Sequence, residues 1–176
     1  MGSSRAEHTR SSRSRRCGER RHDAYGPATN MTTLDLERFI SAQDPVYSTV
    51  VSELRNGTKA SHWMWFIFPQ IDGLGSSPTA RQYAIRSLDE ADAYLAHPIL
   101  GSRLIECTEL VNVVEGKSLR QIFGSPDDMK FHSSVTLFSL IEPRRSTFER
   151  ALDKYFDGEL DERTIAIIGR PSDDRP

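Results

Sequence analysis

Two cysteines in 176 residues are too few for a disulfide framework. Cys17 sits in an arginine-rich stretch and Cys107 on an apolar helix stripe, so they form no zinc knuckle either, and a reducing cytoplasm is the expected compartment. No apolar run approaches the roughly 20 residues that span a bilayer. The first residues also lack the apolar core of a secretory signal. A soluble chain with no membrane partner is expected. Strand alternation of useful length is missing, as is a hairpin turn, and no unit repeats at a fixed period. Neither the P-loop nor the dinucleotide glycine fingerprint occurs. No metal site and no cofactor are predicted.

What is there is enough chain for one domain with a real core, flanked by charged ends. Before Met31 stand Arg5, Arg10, Arg13, Arg15, Arg16, Arg20 and Arg21 against Glu7, Glu19 and Asp23, so the net charge of -2 conceals an acidic body. Residues 1–32 read as a disordered basic arm, because their composition cannot repay the entropy of ordering. The arm is either a solvated tail or translated sequence ahead of a start at Met31. Such an arm can hold phosphates loosely. The acidic body, whose aromatics are not interleaved with positive charge, argues against nucleic acid as a partner of the folded domain. Residues 33–169 read as a single helical domain and 170–176 as a polar tail.

Helix punctuation recurs through that domain. A short first helix carries Leu34, Phe39 and Ile40. Asp44-Pro45 reads as an N-cap and first helical proline, followed by Val46, Tyr47, Val50, Val51 and Leu54 and stopped by Asn56-Gly57. Ser77-Pro78 opens a helix through Tyr83, Ala84 and Ile85, and Ser87 caps the next. After His97-Pro98, Leu100, Leu104, Cys107 and Val111 build one stripe that Gly116 ends. Ser118 to Phe123 is a short helix, Ser125-Pro126 starts one that runs to Pro143, and Ser146 and Asp161 cap two more. The expectation is an all-α domain of about seven to nine short helices, arranged as stacked antiparallel pairs because most connections are short.

Two segments carry groups that can do chemistry. Lys59 to Gln70 holds both tryptophans, and its six consecutive large apolar residues cannot all face one side of a helix. Either the segment is buried all round, or Trp63 or Trp65 lines a pocket whose mouth carries Lys59, His62 and Gln70. Trp63, Phe66 and Ile67 are assigned to packing, with His62, Trp65 and Gln70 as one wall of a site. His62 is the candidate acid or base, its ordinary pKa lying near neutrality. The acidic partner on offer is Asp127 or Asp128, with Asp127 assigned.

The second segment, Gly124 to Ser134, supplies Lys130, Ser133 and Ser134 as a polar stripe on an otherwise apolar helix, which requires buried partners or a wet cavity. Asp127 and Asp128 also suit the positive end of a helix dipole, and N-capping explains them economically. The loop from Gln70 to Thr79, with Gly73 and Gly75, reads as a flexible surface loop or as an anion cradle served by Arg81 and Arg86. Cys107 is assigned to the core.

Six stretches in one order, Asp44-Pro45-Val46-Tyr47, Ser61 to Gln70, Gly73-Leu74-Gly75, Tyr83-Ala84-Ile85, His97 to Gly101 and Gly124 to Lys130, make the chain resemble the bacterial and fungal family known as domain of unknown function 1810. The resemblance covers Thr33 to Gly169. It implies an armadillo-like stack of helices and no established activity. Some members bear the label calpastatin, but inhibitors of that name are repetitive and disordered, unlike this chain. Two functions are therefore expected. One is a small-molecule pocket for an anionic or nucleotide-like ligand, with His62 and Asp127 as acid and base and Lys59, Trp65, Gln70, Arg81, Lys130 and Ser133 as binding residues. The other is a non-enzymatic helical module that binds a protein partner.

Overall fold

A computed structural model describes residues 34–141 and 146–169. The basic arm expected over residues 1–32, Cys17 and the polar tail expected over 170–176 lie outside the described residues. Among the described residues there are ten helices: α1 (Glu37–Gln43), α2 (Tyr47–Arg55), α3 (Met64–Ile67), α4 (Pro78–Gln82), α5 (Leu88–Ala96), α6 (Leu100–Asn112), α7 (Leu119–Phe123), α8 (Asp127–Ile141), α9 (Thr147–Phe156) and α10 (Glu162–Ile168). Seven span at least seven residues, and α3, α4 and α7 are single turns. The fold is all-α.

Half of the ten helix starts fall where a small polar residue satisfies a free backbone N–H. The side chains of Ser77, Ser87, Ser118, Ser146 and Asp161 each accept from the backbone three residues on. Gln121 returns the favour to Ser118 as a capping box. Two boundaries differ from the pattern. Asp44 caps the C-terminal end of α1 instead of opening α2, and its carboxylate pairs with Arg103 at 2.8 Å. The α4 helix ends at Gln82, because Ile85 leaves it to exchange backbone hydrogen bonds with Gln70 and Asp72, an isolated parallel bridge between Ile71 and Ile85. Tyr83, Ala84 and Ile85 are thus outside the helix that their spacing predicts.

Helices α5 and α9 each pack against both α6 and α8, and the sequential pairs α5/α6 and α8/α9 are stacked neighbours. The stripe of α6 is buried as its spacing requires, with Leu100, Leu104, Cys107 and Val111 all inside. The close crossing of α5 and α6 depends on Gly101, since a Cβ there would lie 1.9 Å from the carbonyl oxygen of Leu95. Helix α8 meets α5, α7, α9 and α10, and residues 133–139 are consecutively buried. A helix enclosed on every side needs no polar face.

Two polar networks fasten this core. Arg38 reaches Glu90 at 2.6 Å and the carbonyls of Gln82 and Ala84, tying α1 to α5 and to the segment that leaves α4. The amide of the fully buried Gln43 donates to the Phe66 carbonyl and the Tyr94 hydroxyl. Each pairing removes the cost of burying a polar group in apolar surroundings.

Candidate functional site

The aromatic segment is placed by a carboxylate that carries no sequence signal. Glu53 on α2 accepts from Ala60 N (2.8 Å), Ser61 N (3.1 Å), Ser61 Oγ (2.7 Å) and Trp63 Nε1 (2.8 Å). Burial by itself would raise its pKa. The Ser61 hydroxyl, the Ala60 N–H, the Trp63 indole and the Ser61 N–H together outweigh that and hold the carboxyl below its ordinary range. With the loop pinned, one helical turn sorts the apolar run. Trp63, Met64, Ile67 and Phe68 point inward, and Trp63 and Phe68 meet Phe123 edge-on. Trp65, Phe66 and Gln70 stay half-buried at the rim, and His62 is exposed.

Beside this rim stands the first turn of α8. Asp127 is shared by two ammonium groups, Lys59 Nζ and Lys130 Nζ, each at 2.7 Å, and all three side chains are at least four-fifths covered. Burial again pushes the Asp127 carboxyl up, and the hydrogen bonds and charges of Lys130 and Lys59 bring it below its usual range. One carboxylate cannot neutralise two cations, so the trio retains a positive charge. The Lys130 ammonium lies 4.2 Å from the centre of the Trp65 ring, over its π face. One turn further along, the Ser133 hydroxyl donates to Asp161 Oδ2 at 2.8 Å. The same oxygen accepts from the Thr164 N–H and hydroxyl at 3.1 and 2.6 Å. Burial raises this carboxyl too, but the Thr164 and Ser133 hydroxyls, the Thr164 N–H and the charge of His132 lower it overall.

Between these parts opens a cleft of about 370 Å³, in the lower range for small-molecule sites. Trp65, Gln70, Lys130 and Ser133 line it together, so four of the residues singled out from the sequence share one wall-to-wall space. Lys59 and Asp127 stand behind Lys130. Arg81 is exposed and donates to the Ser76 carbonyl at 2.5 Å, on the loop that edges the cleft. No hydrogen bond or ion pair links His62 to Asp127 or to another described residue. The Ser77 side chain takes the N–H of Ala80, so the start of α4 is already capped. Asp161 and Arg163 also line the cleft and went unread, the first because capping accounted for it and the second because nothing marks it. Cys107 is fully buried, and burial pushes its thiol up to about 12, away from thiolate chemistry. Among the described residues no three His, Cys, Asp or Glu side chains come together as a metal site. No helix among them is long and apolar enough to cross a membrane.

Residues 33–168 match the family described as protein of unknown function (DUF1810). The chain belongs to this family. A solved structure, that of the conserved hypothetical protein Rv1873 from Mycobacterium tuberculosis, is 54% identical to it with a TM-score of 0.76, and the match covers 78% of this chain and 99% of that one. No curated protein matches the chain. At that identity and TM-score the two share a fold.

Proposed function

We propose that this DUF1810 protein is a cytoplasmic small-molecule binder whose cleft takes an anionic ligand with a flat ring. The observation that carries the reading is the surplus positive charge of the Lys59–Asp127–Lys130 trio, delivered by Lys130 to the face of Trp65 inside the cleft. The Trp65 ring gives a flat ligand apolar contact area, and the cation over that ring gives an anionic substituent its counter-charge. Gln70 and Ser133 supply neutral hydrogen-bonding groups that orient the ligand. Asp127 and Lys59 act by positioning Lys130. His62, exposed and without a fixed partner, is assigned no step, so the reading is binding and not acid–base catalysis.

A thermal-shift screen of nucleotides and small carboxylates tests this. A binding ligand raises the melting temperature of the wild type, and the rise disappears in Trp65→Ala and in Lys130→Ala but persists in His62→Ala. If Trp65→Ala and Lys130→Ala melt lower yet respond to ligand as the wild type does, the cleft is not the site.

A further inference from the structure

The cleft has a neighbour across α8. A second groove, of about 510 Å³, lies between the start of α7, the first turns of α8 and the end of α9, and Met129 and His132 line both it and the cleft. Met129 is 58% exposed and stands on the ridge that the two share. His132 is held in place, its ring stacked on Phe156 at 3.7 Å and its Nε2 2.9 Å from the Glu159 carbonyl.

Charge is distributed unevenly around these two spaces. Arg38, Arg55, Lys59, Arg103, Lys130 and Arg150 are paired with carboxylates. Lys117, Arg120, Lys154 and Arg163, like Arg81 and Arg86 elsewhere, have no carboxylate partner among the described residues. The first three line the second groove and the fourth lines the cleft. The groove's one acid is Asp128, and the cleft's is Asp161. In an acidic body this is a concentration of uncancelled positive charge. Two of the cations are also fixed in position. Lys117 Nζ donates to the carbonyls of Asn56 and Gly57 at 3.2 and 3.0 Å and to the Thr58 hydroxyl at 3.2 Å, and Lys154 Nζ to the carbonyls of Asn112 and Val114, both at 2.6 Å. These partners sit at the C-terminal ends of α2 and α6 and carry no formal charge; their dipoles offset part of the ammonium charge and hold it still, so less side-chain freedom is lost when an anion arrives.

The contents of the two spaces differ in kind. The cleft offers a ring platform in Trp65 and, in Asp161, a carboxylate whose Oδ2 is saturated while Oδ1 receives no hydrogen bond from the described residues. Such an oxygen accepts from hydroxyls. The groove offers three cations against one acid, which suits a densely charged anionic group. Resting on the reading of the cleft as an anion-binding site, we infer that the ligand is a nucleoside oligophosphate. Its base packs against the Trp65–Lys130 pair, its sugar hydroxyls face Asp161, and its phosphate chain crosses Met129 into the basin of Lys117, Arg120 and Lys154.

The test uses intrinsic fluorescence, since Trp63 is buried and Trp65 lies at the cleft, so quenching reports Trp65. The common ribonucleosides, their 5′-monophosphates and their 5′-triphosphates are titrated into the full chain in the presence of a chelator. The expected result is that one triphosphate binds about tenfold or more tightly than its monophosphate. Arg120→Gln, at an exposed residue with no side-chain partner, brings that ratio below about threefold. Arg86→Gln removes the same charge from a residue outside both spaces and preserves the ratio. A monophosphate that binds as tightly as its triphosphate overturns the inference and leaves the cleft reading standing. An equal fall of the ratio in both variants also overturns it, by exposing a general charge effect. Absence of quenching by every compound overturns the inference, and the cleft reading then stands or falls with the small carboxylates of the thermal-shift screen.

Discussion

Replacing Asp127 with Asn removes the negative member of a three-charge cluster and leaves two ammonium groups beside one neutral amide. Lys59 and Lys130 keep only 9% and 20% of their side-chain surface, so water cannot fully take over the role of the carboxylate. Two charge-assisted hydrogen bonds at 2.7 Å are lost. At the lower end of their usual worth, chosen because solvent still reaches Lys130, the loss is about 3 kcal/mol. For a domain of this size that is a fall in melting temperature of about 10 °C. Lys59→Met removes one of the two bonds and restores one-to-one charge balance, and should cost about half as much. The double variant Asp127→Asn/Lys59→Met should therefore melt higher than Asp127→Asn alone. The pH dependence has a definite sign. The Asp127 carboxyl titrates lower in the folded chain than in the unfolded chain, so its contribution is present above about pH 4 and is lost as the pH falls through the folded value. Wild type and Asp127→Asn should thus differ at neutral pH and converge in acid. Circular dichroism melts of the four proteins between pH 3 and pH 7 read all of this. A double variant no more stable than Asp127→Asn, or a gap that widens in acid, refutes the shared-carboxylate account.

Two further outcomes follow from single contacts. Glu53→Gln keeps one acceptor for the four donors that Glu53 serves. Since Glu53 is partly exposed, the loss is about 1–2 kcal/mol, a fall of several degrees that shrinks as wild-type Glu53 protonates below about pH 4.5; a melting temperature unchanged within 1 °C would falsify its role as the loop's anchor. Gly101→Ala sets a methyl group against the Leu95 carbonyl, which must shift with the α5–α6 turn, at a cost of about 3 kcal/mol in a denaturant titration; an unaltered midpoint means the two helices sit further apart than described.

Caps and stripes were legible because they are local. A serine can serve the N–H three residues on whatever the remainder of the chain does, which is why Ser77, Ser87, Ser118 and Ser146 all open helices. The stripe of α6 follows from the 3.6-residue period alone. Local signals failed where a distant partner competed. Asp44 is claimed by Arg103, and Ile85 by the backbone of Gln70 and Asp72. In the aromatic run Trp63 and Ile67 are buried and Trp65 and Gln70 half-buried, as their assignment required, but Phe66, assigned to packing with the first pair, is half-buried against the core, and His62, assigned to the wall with the second, is exposed and outside the cleft lining.

By itself, then, the amino-acid order determined the all-α class, most helix starts, the buried stripes and the choice of two segments worth pairing. Tertiary structure alone decided what the pair encloses. It withdrew Lys59 and Asp127 behind Lys130, left His62 in solvent, and brought in Asp161 and Arg163 from α10 and its cap. It also made Glu53 the anchor of the loop. The physical reason is range. Helix propensity and capping act over three or four residues, whereas a cleft's walls converge from segments far apart in the chain, and which of their polar groups face the opening depends on charge pairing and exclusion of water across the whole core.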